Sequence, residues 1–238
     1  MSWLSTVFGG AAQHKILLKP AQLQAISEWK QRPSPDNTCA HTLSRYVVAD
    51  VETTGLSLEK DKLISIGAVA VNQGRIDCHD TFEIVLRQEQ ASTTANILIH
   101  GIGGSAQEEG IEPVDALIAF LQYIGKAPLV AYHARFDQTM IEKAMLTYLG
   151  LKLGQAWIDL AWIMPDVVRD HELEEENLDD WLQLFDIENI QRHNAVSDAY
   201  ATAKLLQVAI GRGVEYGLNS PDDFVKAEQA RRWKRRSG

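Results

Sequence analysis

Residues 46–55, YVVADVETTG, run from a strand-length apolar segment straight into two carboxylates, Asp50 and Glu52. An apolar run of this length that ends at a Thr-Thr-Gly turn signal reads as a buried strand. Side chains two apart on a strand share a face, so both acids are aimed into one small volume. Like charges held that close repel. A fold tolerates them most easily when a divalent cation, a proton or a basic partner lies between them. An ordinary strand-to-turn boundary has the same local composition, so the rest of the chain must decide between the two.

Two later segments present acids in matching settings. In LVAYHARFDQTMIE, Asp137 follows a short apolar strand and opens a helical pattern; in HNAVSDAYATAKLL, Asp198 lies five residues after His193. Three acid-bearing segments in this order form a constellation that one strand boundary does not explain. Taken singly, Asp137 also suits a helix N-cap and His193 a solvated loop.

The segments resemble the three exonuclease motifs of the DEDDh family, which includes the proofreading subunit of bacterial DNA polymerase III. Asp50, Glu52, Thr53, Thr54 and Gly55 match the first motif, and His193, Ala195 and Asp198 the third. Ala134, Phe136 and Asp137 match the second, where His133 stands in place of the usual Asn. The likeness runs from about residue 45 to 210, with weaker matches in LISIGAVAV, in IHGI at 99–102, at Asp159 in WIDLAW, and in NLDDWLQLFDI. The resemblance implies a ribonuclease-H-like α/β fold with a mixed central sheet flanked by helices.

Phosphodiester hydrolysis suits these residue types. Two divalent ions about 4 Å apart offset the charge that opposes attack and assist the leaving oxygen. Mg²⁺ and Mn²⁺ prefer carboxylate and water oxygens, whereas cysteines or several histidines would favour zinc. Asp50, Glu52, Asp137 and Asp198 are therefore the expected metal ligands. Asp50 would bridge the ions, Asp198 would complete the site that binds the attacking water, and Asp137 would serve the second ion. Histidine titrates near neutrality, and His193 is the expected general base. Thr53 and Gly55, where the chain leaves the first strand, would bring backbone close to a sugar or phosphate, while Leu56 presses on a base. A tight turn would equally require Gly55. By resemblance, His100 and Phe136 approach the terminal nucleotide, and Phe136 equally suits the core. The acidic run HELEEEN reads as the polar lead-in and first turn of a helix, where negative charge is favoured, and stays outside the site.

Composition bounds the chemistry. The 238 residues, 45% of them apolar, fit one sizeable domain with appendages. Cys39 and Cys78 are too few for a disulfide framework or a thiolate zinc site. Apolar stretches fall far short of the roughly 20 residues that cross a bilayer. The opening MSWLSTVFGG lacks the basic start of a signal peptide, so a cytoplasmic protein with no membrane partner is expected. A net charge of −9 argues against broad nucleic-acid binding, although an enzyme that grips a strand end through metal ions needs few phosphate contacts. RRWKRR at 231–236 could hold a phosphate backbone with Trp233 stacked on a base, or be a solvated helix end.

Three zones follow. Residues 1–44 form an N-terminal helical appendage around PAQLQAISEWKQ, packed on the core or available to a polymerase or other protein partner. Residues 45–212 form the exonuclease domain: an antiparallel meander that turns at Asn72–Gly74, then alternating helices and strands. Residues 213–238 are a C-terminal extension with a basic tail. The expected activity is metal-dependent 3′ to 5′ hydrolysis of single-stranded or frayed DNA, releasing 5′-mononucleotides. Single-stranded or 3′-terminal DNA is the expected partner. An exoribonuclease of the same fold and an inactive nucleic-acid-binding or polymerase-tethering module are the alternatives.

Overall fold

Alternation along one strand demands two apolar layers, and both are present. The structure, a computed structural model, describes residues 17–170 and 177–237. Strand β1 (Arg45–Thr53) sends Val47, Ala49 and Val51 into one core and Tyr46 and Val48 into a second on the opposite face. It pairs antiparallel with β2 (Leu63–Asn72), which pairs antiparallel with β3 (Arg75–Val85). Gln73 and Gly74 both have positive φ, 54° and 76°, as a two-residue hairpin turn requires. On its other side β1 pairs parallel with β4 (Leu129–Ala131), and β4 with β5 (Trp157–Asp159). The order β3-β2-β1-β4-β5 makes the expected mixed sheet. β2 is buried on both faces over nearly its whole length, which explains its unbroken apolar sequence.

Helices cover both faces. The first core is closed by α1 (Pro20–Gln31), α4 (Pro113–Ile124) and α5 (Arg135–Leu149). The second is closed by α6 (Leu160–Val167), α7 (Leu178–Leu184), α8 (Ala195–Gly213) and α9 (Pro221–Ser237). Two further helices, α2 (Thr94–His100) and α3 (Gly104–Glu108), lie between β3 and α4. They are too short to show a period in sequence. Local capping defines α2: Thr93 Oγ1 accepts from the Asn96 N–H, and Gly101 ends the helix at φ 73°.

Both flanking segments pack on the sheet layers. Ile26 and Trp29 of α1 are buried against α4, and Trp29 Nε1 donates to the Gly125 carbonyl at 2.6 Å. Phe224 of α9 is fully buried in the second core, and His41 N donates to the Asn219 carbonyl at 3.1 Å. Among the described residues no helix is long and apolar enough to cross a membrane. MSWLSTVFGG and the acids Glu172 and Glu174–Glu176 lie outside the described residues; α7 is capped by Asn177, whose side chain accepts from the Asp180 N–H.

The start of α8 lies directly on the sheet at Gly67, the β2 residue paired with Asp50. A Cβ there would come within 2.2 Å of the Ala195 carbonyl carbon and the Val196 nitrogen. Only glycine lets the helix approach this closely, and the approach sets the height from which Asp198 reaches toward β1. Gly67→Ala should destabilise the protein by about 1–3 kcal/mol, the usual range for overpacking a close contact. Gly154→Ala, with no neighbour within 4 Å of the added carbon, should show no such loss. Urea unfolding of both variants measures the difference.

Candidate active site

β4 pairs with β1 only at Val47 and Val48, so beyond that point one edge of β1 is open. The open edge is where the acids gather. Asp50 and Glu52 continue the row begun by Tyr46 and Val48, toward the layer that contains α8. Asp198, in the first turn of α8, reaches them from above. One oxygen from each of Asp50, Glu52 and Asp198 lies within 4.8 Å of the others. Asp137 lies outside this trio, buried in the first turn of α5. The main-chain N–H groups of Val51, between Asp50 and Glu52, and of Asp137 itself lie near its carboxylate and favour its charged form. It thus faces the strand edge left open where β4 stops, from the start of a helix whose first donors are unpaired.

The loop before α8 is built around Asp198. Its Oδ1 accepts from Asn189 Nδ2 and from Arg192 Nη1, the latter at 2.8 Å, and its Oδ2 accepts from the His193 main-chain N–H at 2.9 Å. Arg192 Nε also pairs with Asp179 of α7 at 2.9 Å. Asn194 caps α8 by accepting from the Ser197 N–H. His193 has φ 60° and an exposed side chain; this left-handed residue supplies the bend that brings His193 and Asp198 to the same place. Sequence reading missed Arg192, the one cation in direct contact with these four acids among the described residues, although it stands beside the motif histidine.

Asp50, Glu52 and Asp137 hold protons more tightly than ordinary carboxylates. Burial raises Asp50 well above the usual range, reinforced by the charges of Asp137, Asp198 and Glu52. Glu52 is pushed up to about 8 by burial and then by Asp198 and Asp137, with Arg192 opposing. Asp137 is pushed up to about 8, chiefly by burial, against the two main-chain N–H groups that favour its charged form. The donor set is all oxygen, and its charges need a positive partner. Asp50, Glu52 and Asp198 could hold a divalent cation.

The residues expected at the substrate divide. Thr53 is buried, and its Oγ1 donates to the Gly55 carbonyl at 2.7 Å. Gly55 does not have the left-handed φ of a glycine-requiring turn. It is needed because a Cβ would meet the Asp61 carboxylate at 2.6 Å. Asp61 in turn binds Thr54 Oγ1 at 2.8 Å and the Ser57 N–H at 2.7 Å, while Lys143 Nζ binds the carbonyls of Leu58, Glu59 and Asp61. The loop so braced leaves Leu56 87% exposed. Phe136 is half-buried against the first core. His100 is buried, with Nδ1 accepting the Ile102 N–H at 2.9 Å and Nε2 meeting Asn96 Oδ1 at 2.9 Å. Both ring nitrogens serve the α2–α3 turn. His133 occupies a left-handed position, φ 58°, a conformation in which Asn, Asp and His are enriched, so it suits a place where the family carries Asn.

These proton affinities set a stability profile. Raised carboxylate pKa values mean that the folded state binds more protons than the unfolded one from about pH 4 up to about 8, so stability falls as pH rises through that window. In EDTA the melting temperature should drop between pH 5 and 8. Added Mn²⁺ should restore it, by more at pH 8 than at pH 5, because ions and protons compete for the same oxygens. Thermal melts at fixed ionic strength test this.

A family model described as exonuclease (RNase T) matches residues 47–206. The chain is 31% identical over 179 residues to the PolC-type DNA polymerase III of Caldanaerobacter subterraneus subsp. tengcongensis, covering 75% of this chain and 12% of that one. It is 33% identical over 183 residues to the Bacillus subtilis PolC-type enzyme, again covering 75% and 12%. The chain thus spans only 12% of the length of each of these relatives. Among solved structures, the single-stranded DNA complex of Escherichia coli exonuclease I superimposes with a TM-score of 0.61 at 16% identity, over 72% of this chain and 42% of that one. Cell-death related nuclease 4 gives 0.62 at 18%, over 73% and 66%, and exonuclease X with 5′-overhanging duplex DNA gives 0.58 at 17%, over 77% and 99%. These neighbours bear out the ribonuclease-H-like fold expected from the motifs. Since the family model runs from the start of β1 into α8 and takes in all three acid-bearing segments, the chain belongs to the exonuclease family of RNase T.

Proposed function

We propose that the chain is a metal-dependent 3′ to 5′ exonuclease acting on single-stranded or frayed DNA and releasing 5′-mononucleotides. The observation that carries this reading is the convergence of oxygens from Asp50, Glu52 and Asp198 within 4.8 Å, with Asp137 facing the same strand end. Carboxylates alone favour Mg²⁺ or Mn²⁺. Asp50, Glu52, Asp137 and Asp198 would hold two such ions, which when bound neutralise charge at the phosphate and at the attacking and leaving oxygens. Asp50, the earlier of the two strand acids, would be the ligand shared between the ions in this reading. His193 takes the proton of the attacking water on a ring nitrogen, and its main-chain bond to Asp198 keeps the loop that carries it at the acids.

The remaining roles follow from exposure and position. Leu56, held out by the loop braced through Asp61 and Lys143, presses on the terminal base. The backbone at Thr53 and Gly55 approaches sugar and phosphate, and the free side of Phe136 meets the nucleotide. His100, which holds the α2–α3 turn, approaches the terminal nucleotide from that turn. DNA is favoured because the relatives are DNA polymerases and the exonuclease I and exonuclease X complexes contain DNA. A polymerase partner met through residues 1–44, an exonuclease domain at 45–212 with appendages on either side, and a cytoplasmic setting belong to the same reading.

Direction can be tested with blocked ends. A single strand blocked at its 3′ end should survive in Mg²⁺ or Mn²⁺, and one blocked at its 5′ end should shorten stepwise on a sequencing gel. Cutting of closed circular strands would show endonuclease action and overturn the reading. His193→Ala should lower the single-turnover rate by roughly 10²- to 10⁴-fold, the range for losing a positioned base, while Mn²⁺ affinity persists. An undiminished rate would remove His193 from the chemistry.

A further inference from the structure

The densest run of cations in this acidic chain, RRWKRR, lies in the last turns of α9. Arg231 and Arg232 are held by acids: Arg231 Nη1 lies 2.7 Å from Asp166 Oδ1, and Arg232 binds Asp159 Oδ2 at 2.9 Å and Glu228 Oε1 at 2.8 Å. Lys234, Arg235 and Arg236 are exposed and form no ion pair among the described residues. Lys234 and Arg235 line a groove of about 580 Å³ together with His133, Ala161, Trp162 and Arg231. Among the described residues no acidic side chain lines it. The guanidiniums of Arg232 and Arg235 lie over the Trp162 ring at 4.6 and 5.5 Å, so this ring braces cations and is not open to a base. Trp233 is exposed outside the groove.

The groove opens at the end of the sheet that carries the acids. β1, β4 and β5 are parallel, so their C-terminal ends point the same way. Asp50 and Glu52 close β1, His133 follows β4 four residues ahead of Asp137, and Ala161 follows β5. Only β4 separates β5 from β1, which puts the groove about 10 Å to the side of the acids, two strand spacings. The same edge lies against the second motif: the main-chain N–H of Ala134 faces Asp159, which sits beneath Arg232.

We infer that this groove holds the sugar-phosphate backbone of the substrate strand behind its terminal nucleotide, with Lys234 and Arg235 on phosphates. The inference rests on the exonuclease reading and adds how the strand is gripped. Contacts of this kind are independent of base sequence and weaken with salt, because each cation releases a condensed counterion. An acidic protein surface is the other class a basic groove could take; its position beside the acids favours the strand.

The test compares the full chain with the Lys234→Ala/Arg235→Ala variant, both positions being exposed. Binding of a fluorescent oligothymidylate is followed in EDTA by anisotropy across a NaCl series. Hydrolysis of that strand and of thymidine 5′-(p-nitrophenyl phosphate), which has no backbone to enter the groove, is followed in Mn²⁺. The slope of log affinity against log salt should shrink by about 1.4, about 0.7 for each single-strand contact, and KM should rise more for the strand than for the ester. Equal affinity and slope in the two proteins would overturn the inference, and is the outcome expected of a groove that serves an acidic protein. Equal loss on strand and ester would also overturn it, marking α9 as a support of the acids. A wild-type chain that binds the strand through these residues yet hydrolyses neither substrate would leave the groove standing and overturn the exonuclease reading.

Discussion

Repulsion among carboxylates at the open end of β1 is the constraint on which the rest of the structure turns. Burial raises the proton affinity of Asp50, Glu52 and Asp137, and their mutual charge adds to it for the two strand acids. A sheet of this size has enough apolar surface to bury such a cluster, because two full cores flank β1 and β2. The cluster is kept in the fold at a cost to metal-free stability, as is common where a site is shaped for a charged ligand. Arg192 offsets part of that cost by pairing with Asp198 and Asp179 at once. An ion that draws on Asp198 therefore meets an arginine already in place, and the α7–α8 loop is coupled to the state of the acids.

Three elements converge through backbone contacts more than through side-chain packing. The early end of β4 leaves the Val51 N–H facing Asp137, the missing Cβ of Gly67 admits the first turn of α8, and the left-handed His193 lets its own N–H reach Asp198. Each fixes one acid to a rigid element, which suits chemistry that depends on position.

Much of this was legible in the sequence where the determining interactions are local. Period-two alternation in YVVADVE aims Asp50 and Glu52 together, the Asn72–Gly74 segment turns the hairpin, and helical spacing marks α1, α4, α5 and α8. What escaped depends on distant partners. Gly67 looks like a weak point in an apolar strand until α8, well over a hundred residues later, lies on it. Gly55 suggests a turn, whereas its reason is the Asp61 carboxylate; the bonds of the His100 ring to Asn96 and Ile102 are likewise unreadable before the fold is known. The basic tail reads as a phosphate grip or a solvated helix end; what the sequence hides is that the polar helix α9 is anchored by Phe224 and by the pairs of Arg231 and Arg232.

A divalent cation held by Asp50, Glu52, Asp137 and Asp198 should displace the protons that Asp50, Glu52 and Asp137 bind tightly. Titrating Mn²⁺ into the metal-free protein at pH 7 by calorimetry, in two buffers of different ionisation enthalpy, measures protons released per ion bound. Saturable binding with net proton release is expected, both weakened in Asp50→Asn. Tight binding with no proton release, or binding unaltered in Asp50→Asn, would show that ions do not replace protons at these acids.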